Sequence, residues 1–250
     1  MRNIHKVAAR FILSVAAVAF TATASLSAPI TIPAGLNPGD QYRLAFVTST
    51  TRDATSSDIA DYNAFVTAAA NTQTELAALG TTWMAIASTA TVDARDNTGT
   101  NPSSTGFPIY LLDPASTKIA DNNADLWGFG DLASPLAIGE DGVNLLSGAV
   151  WSGTTIVGTA DPFPLGGSTP RTGAYGETDG NWIQSLDGPP LSSTLQLQFY
   201  AISDVLTVAG GTEVPEPGAL GVLALGLVGL AVMRRKRTVR KPSADRSHSA

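Results

Sequence analysis

Two apolar runs, residues 11–20 and 218–233, bracket this chain of 250 residues and confine any water-soluble core to the stretch between them. Neither run contains a charge, and each is flanked by basic residues. The first follows Arg2, Lys6 and Arg10 and precedes the small residues Ala22-Thr23-Ala24, the three-part order of a secretory signal peptide, and ten residues are too few to span a bilayer. Cleavage is expected after Ala24. Sixteen helical residues in the second run reach ~24 Å at ~1.5 Å each, a little under a hydrocarbon core of ~30 Å, so it reads as a short transmembrane helix with snorkelling flanks. Arg234, Arg235, Lys236 and Arg237 follow it directly and assign that side to the cytoplasm. The expected organisation is a signal peptide at 1–24, a linker at 25–39, one domain at 40–208, a second linker at 209–217, a transmembrane helix at 218–233 and a basic cytoplasmic tail at 234–250.

The formal charge of −6 averages over unlike pieces. Between residues 29 and 212 stand five basic side chains (Arg43, Arg52, Arg95, Lys118, Arg171) against eighteen acidic ones, a balance of −13. Such a body repels phosphate backbones, which excludes nucleic acid as a partner. The chain has no cysteine, so disulfides, thiolate metal sites and cysteine nucleophiles are excluded. Its two histidines, His5 and His248, lie in the terminal segments and leave the body without imidazole for base or ligand chemistry. Gly-x-Ser-x-Gly is absent as well. Carboxylate pairs can hydrolyse glycosides, but no spacing singles one out. The body therefore reads as non-catalytic.

At the C-terminal end, Val214-Pro215-Glu216-Pro217, the apolar run and the cluster Arg234–Arg237 follow in an order that closely resembles the PEP-CTERM sorting signal of Gram-negative bacteria. That resemblance implies cutting near Pro-Glu-Pro by an exosortase-type membrane enzyme. It also implies export across the inner membrane, transient anchoring by the C-terminal helix, and a final place at the cell surface or in an extracellular matrix alongside exopolysaccharide.

Within the body, Tyr42, Leu44 and Phe46 alternate as in a strand over 42–48. One long early helix is expected next, capped at Thr55, Ser56 or Ser57, with Asp58 in its first turn. Its apolar positions are Ile59, Tyr62, Phe65 and Val66, and Gly80 closes it after Leu79. Short strands are expected at 83–88, 109–112, 148–151 and 195–205, separated by long Gly/Asn/Asp/Thr-rich loops, the pattern of an α+β domain. Residues 57–70 and 83–89, Pro108-Ile109-Tyr110-Leu111-Leu112-Asp113, Ala124-Asp125-Leu126-Trp127, Gly148-Ala149-Val150-Trp151-Ser152-Gly153-Thr154, Asn181-Trp182 and Tyr200-Ala201-Ile202 occur in the order of endostatin-like domains. That family resembles the C-type lectin fold. The resemblance implies a small sheet with loops on one side, and it carries over neither zinc nor disulfides, since the histidines and cysteines are missing.

Two sets of residues are candidate sites. Asp121, Asn123 and Asp125, with Glu140 and Asp141 a loop later, offer oxygens of the kind that wrap Ca²⁺, and Asp93, Asp96 and Asn97 form a weaker set. The same residue types also populate turns, because they bond their own backbone. Trp83, Trp127, Trp151 and Trp182 fall beside core-like motifs; Trp182, with Asn181 and Gln184 as polar neighbours, is the candidate ligand surface. The function expected is a binding or adhesion module for extracellular polysaccharide or a surface protein. A purely structural matrix protein is the alternative, and a carboxylate-dependent glycoside hydrolase comes third.

Overall fold

The strand Gln41–Val47 (β1) is buried from Tyr42 onward on both of its faces, which makes it the centre of the sheet rather than a half-exposed strand. A computed structural model describes residues 28–128, 131–186 and 190–210. The segments 1–24, 218–233 and 234–250, read above as signal peptide, transmembrane helix and basic tail, lie outside the described residues, as do Val214, Pro215, Glu216 and Pro217. Among the described residues no helix is long and apolar enough to cross a membrane.

The architecture is α+β, with one mixed eight-stranded sheet and few helices. β1 lies between Ile109–Leu111 (β3), which runs parallel to it, and Gln198–Ser203 (β7), which runs antiparallel. Lys118–Ala120 (β4) extends the sheet beyond β3. On the far edge of β7, Trp83–Ala85 (β2) pairs with its second half, and Ala149–Trp151 (β5) runs parallel to its first half, followed by Thr172–Ala174 (β6). After an irregular step at Asp204 and Val205, Leu206–Thr207 (β8) returns to β1 opposite Tyr42 and Gln41.

The sheet buries both faces. On one, Phe199 meets Tyr62 and Phe65 of the helix Ile59–Ala70 (α1) with ring centroids 5.1 and 5.7 Å apart, and Phe46 meets Trp83 edge-on at 5.1 Å. On the other, Tyr200 packs on Trp182, and Trp182 on Trp127. Arg43 projects from β1 into this second layer, where Nη1 donates at 2.9 Å to the carbonyls of Thr98 and Ser203, tying the 98–100 loop to the sheet. Burial lowers the pKa of this guanidinium, and the nearby Asp204 carboxylate opposes the shift.

The single long helix is not found. α1 stops at Ala70, and a separate turn, Thr74–Ala77 (α2), follows. At the break the Thr72 hydroxyl donates to the Ala69 carbonyl at 2.7 Å and Gln73 is extended, so side-chain bonding to the backbone competes with helix propagation. Gly80 does adopt a positive φ of 58°, but it ends the turn after α2. The cap also differs: Asp58 is the N-cap itself and accepts from Ala60 N, while Ser56 Oγ donates to Asp61. The four-residue helices Ala94–Asn97 (α3) and Asn123–Leu126 (α4) are too short to show a helical period, and strands β4 and β6, Lys-Ile-Ala and Thr-Gly-Ala, lack the large apolar block that marks β2, β3 and β5.

Candidate functional site

At the Val47 end of β1 the sheet continues into a clamped loop. Val47 N donates to Ile138 O, and Gly139 bridges Val47 in parallel. Beyond Gly139 the chain turns back on itself: Gly139 N donates to Val143 O, Leu145 N to Ala137 O, and Asp141 Oδ1 accepts from Val143 N. Glu140, 2% exposed, fixes the tip to the end of β1, because Oε2 accepts from Ser49 N at 2.7 Å and Oε1 from the Ser49 hydroxyl at 2.5 Å. The carboxylate thus gives both Ser49 donors an anionic acceptor.

Next to this loop lies a cleft of about 350 Å³, floored by Leu111, Ala137 and Ile138 and rimmed by Asp113, Thr117, Pro135, Asn144 and Leu146. Asp113 is oriented by Thr117, which gives it a backbone N–H at 2.9 Å and its hydroxyl at 2.7 Å. Asn144 Oδ1 accepts from Leu146 N at 2.7 Å and holds Leu146 at a φ of 68°, a left-handed conformation costly for a residue with a Cβ. Leu146 is 77% exposed, the highest value among the large apolar side chains described. A strained backbone that pushes a leucine into water at the lip of a cleft is a feature packing does not account for. An apolar floor with a few oriented polar groups, at the small end of ligand-site volumes, suits a compact amphipathic ligand such as one sugar unit.

The residues singled out by sequence lie elsewhere or are otherwise engaged. Trp182 is completely buried in the 3-10 turn Gly180–Trp182, so its indole belongs to the core and not to a ligand surface; Asn181 beside it is half-buried. Its polar neighbour Gln184 points inward and donates to the buried Asp161 carboxylate at 2.6 Å, which also takes the Arg171 Nε–H at 3.2 Å. Gly173 of β6 is needed here, because a Cβ would come within 2.1 Å of the Trp182 carbonyl.

The calcium set does not assemble into an oxygen cage. Asp125 accepts from Asp121 N, Asp121 pairs with Lys118, Asn123 is buried with its amide donating to Ser104 and to the carbonyls of Asn101 and Thr105, and both Glu140 oxygens face Ser49. The hydrogen bond and charge of Asp121 raise the Lys118 pKa. Among the described residues no three acidic side chains converge as metal ligands. In the weaker set, Asp93 Oδ1 accepts from Ala160 N, and Asn97 exchanges amide hydrogen bonds with Asn63 of α1. Sequence reasoning missed the cleft. Its signal was the pair Leu145-Leu146 set within turn residues running from Asp141 to Gly148.

What lies downstream of Gly210 bears on where this cleft is displayed. Residues 213–237 match the PEP-CTERM protein-sorting motif. The PEP-CTERM match implies export, recognition by exosortase and processing at the membrane, and it begins three residues after the last described residue of the body. No curated protein matches the chain.

Proposed function

We propose that this is an exported, exosortase-processed protein of the cell surface or extracellular matrix whose body is a non-catalytic binding module, similar to C-type lectin-like and endostatin-like domains, for exopolysaccharide or a surface partner. The observation that carries the binding reading is Leu146, held left-handed and exposed at the rim of an oriented cleft. Support for the setting comes from the PEP-CTERM match and from a body whose charge of −13 keeps it soluble and repels polyanions. The ligand this chemistry favours is a neutral sugar unit, with its C–H face on Ile138 and Leu146 and its hydroxyls toward Asp113 and Asn144.

The test is retention of the mature protein on the producer's own exopolysaccharide, with and without a calcium chelator. Retention that is lost in Leu146→Asp and indifferent to chelator supports the reading. Equal retention of wild type and variant removes the cleft from it. No retention at all favours a structural matrix role.

A further inference from the structure

The far end of β1 carries a different surface. There β8 pairs with Gln41 and Tyr42, and a groove of about 410 Å³ opens between Ile32, Tyr42, Leu79, Leu206 and Ala209. No charged side chain lines it, and Ile32 stands 53% exposed at its edge. The chain is pinned here to its last strand: Val208 N donates to Asp40 O, and Gly39 N donates to Val208 O, both at 2.9 Å. From Gly210 to Gly218, where the apolar run begins, there are eight residues, which fully extended reach at most ~29 Å at ~3.6 Å each. The tether to the apolar run is therefore short and leaves the body at this end of β1.

We propose that the Ile32–Leu206 groove is the membrane-facing pole of the unprocessed protein and rests on the headgroup region of a zwitterionic bilayer; this rests on the reading that residues 218–233 span the membrane. Zwitterionic lipid fits because the body as a whole would be repelled by an anionic surface. The two carboxylates flanking the groove in sequence are also already engaged. Asp40 accepts from Asn37 N at 2.7 Å, and Asp204 accepts from Val205 N at 2.7 Å and stands 4.0 Å from Arg43. The groove itself thus presents apolar and neutral groups to the interface, with the exposed Asp204 carboxylate beside it, and the cleft lies toward the other end of β1.

The absence of cysteine makes a direct test simple, since any introduced cysteine is a unique labelling site. The full-length chain, labelled with an environment-sensitive fluorophore at Ile32→Cys, Leu146→Cys or Leu225→Cys, is reconstituted in phosphatidylcholine vesicles with and without brominated lipid. Residues 32 and 146 are exposed, so folding is not at stake in those two variants. Quenching is expected at 225 and at 32, several-fold greater at 32 than at 146. Quenching at 225 with positions 32 and 146 alike overturns the proposed pole and leaves the spanning reading intact. No quenching at 225 overturns both. A label at 32 already shielded before vesicles are added assigns the groove to a second copy and overturns the lipid proposal.

Discussion

The two ends of β1 are built from the same strand and differ in almost everything else. At the Val47 end a loop is clamped by Glu140 and Ser49, and it spends backbone strain to hold Leu146 in water beside oriented polar groups. At the Gln41 end nothing of that kind is found: a neutral groove surrounds the place where the chain leaves its last strand. The first end combines a left-handed leucine with a buried carboxylate that accepts from a neighbouring backbone, whereas the buried charge nearer the second end, Arg43, is spent on carbonyls of the core.

The largest expected effect tests whether the ends belong to one cooperative unit. Trp182→Ala empties the layer between the sheet and its outer loops and should cost about 3–5 kcal/mol, with probes at both ends melting together. Separate transitions would break the comparison by making the ends independent. Glu140→Ala should act at one end only. It removes the charged acceptor of the Ser49 N–H and hydroxyl at a cost of about 1.5 kcal/mol, and hydrogen exchange should quicken for Val143, Leu145 and Leu146 while the Val208 amide is unchanged.

Leu146→Gly is expected to raise stability by about 1 kcal/mol in denaturant melts, because glycine accepts the positive φ, and at the same time to weaken polysaccharide retention. A loss of stability would mean that the leucine packs rather than binds. The smallest effect lies at the other end and appears only in alkali. Burial raises the pKa of Tyr42, which lines the groove, as it does that of Tyr62 in α1, pushed up to about 12. The folded protein keeps these protons when the unfolded chain, titrating near ~10, has released them, so their contribution is full below pH ~10 and is lost as pH rises toward the folded values. Tyr42→Phe should flatten that alkaline slope in melts, at the cost of the Tyr42 bond to Thr31 O.

Much of this was legible in the sequence, and the misses have physical causes. The tail could be read because a sorting signal is a local string of residue types, and the matching stretch, 213–237, contains all of its parts. Strands β2, β3, β5 and β7 lay within the expected runs, and β1 starts one residue before its run, because their residues are apolar in short blocks bounded by turn formers. The site was missed because its signals are relational. Trp182 looked exposed from the polarity of Asn181 and Gln184, but Gln184 uses its amide internally on Asp161. In the Asp and Asn cluster read as ligands, Asp125 accepts from Asp121 N within its own turn and Asn123 turns its amide to the 101–105 loop. Leu146 is exposed only because Asn144 bends the backbone beneath it, a fact of geometry that no hydropathy pattern records.

The pairing of β8 with the first residues of β1 also has a mechanical meaning. If the protein is held by its tail and pulled by a ligand seated at the opposite end, the load runs along the strand axis. The β1 bonds to β7 and β8 are then loaded side by side in shear, and no single bond can be peeled open ahead of the rest. A body anchored in this way would yield late and all at once under tension.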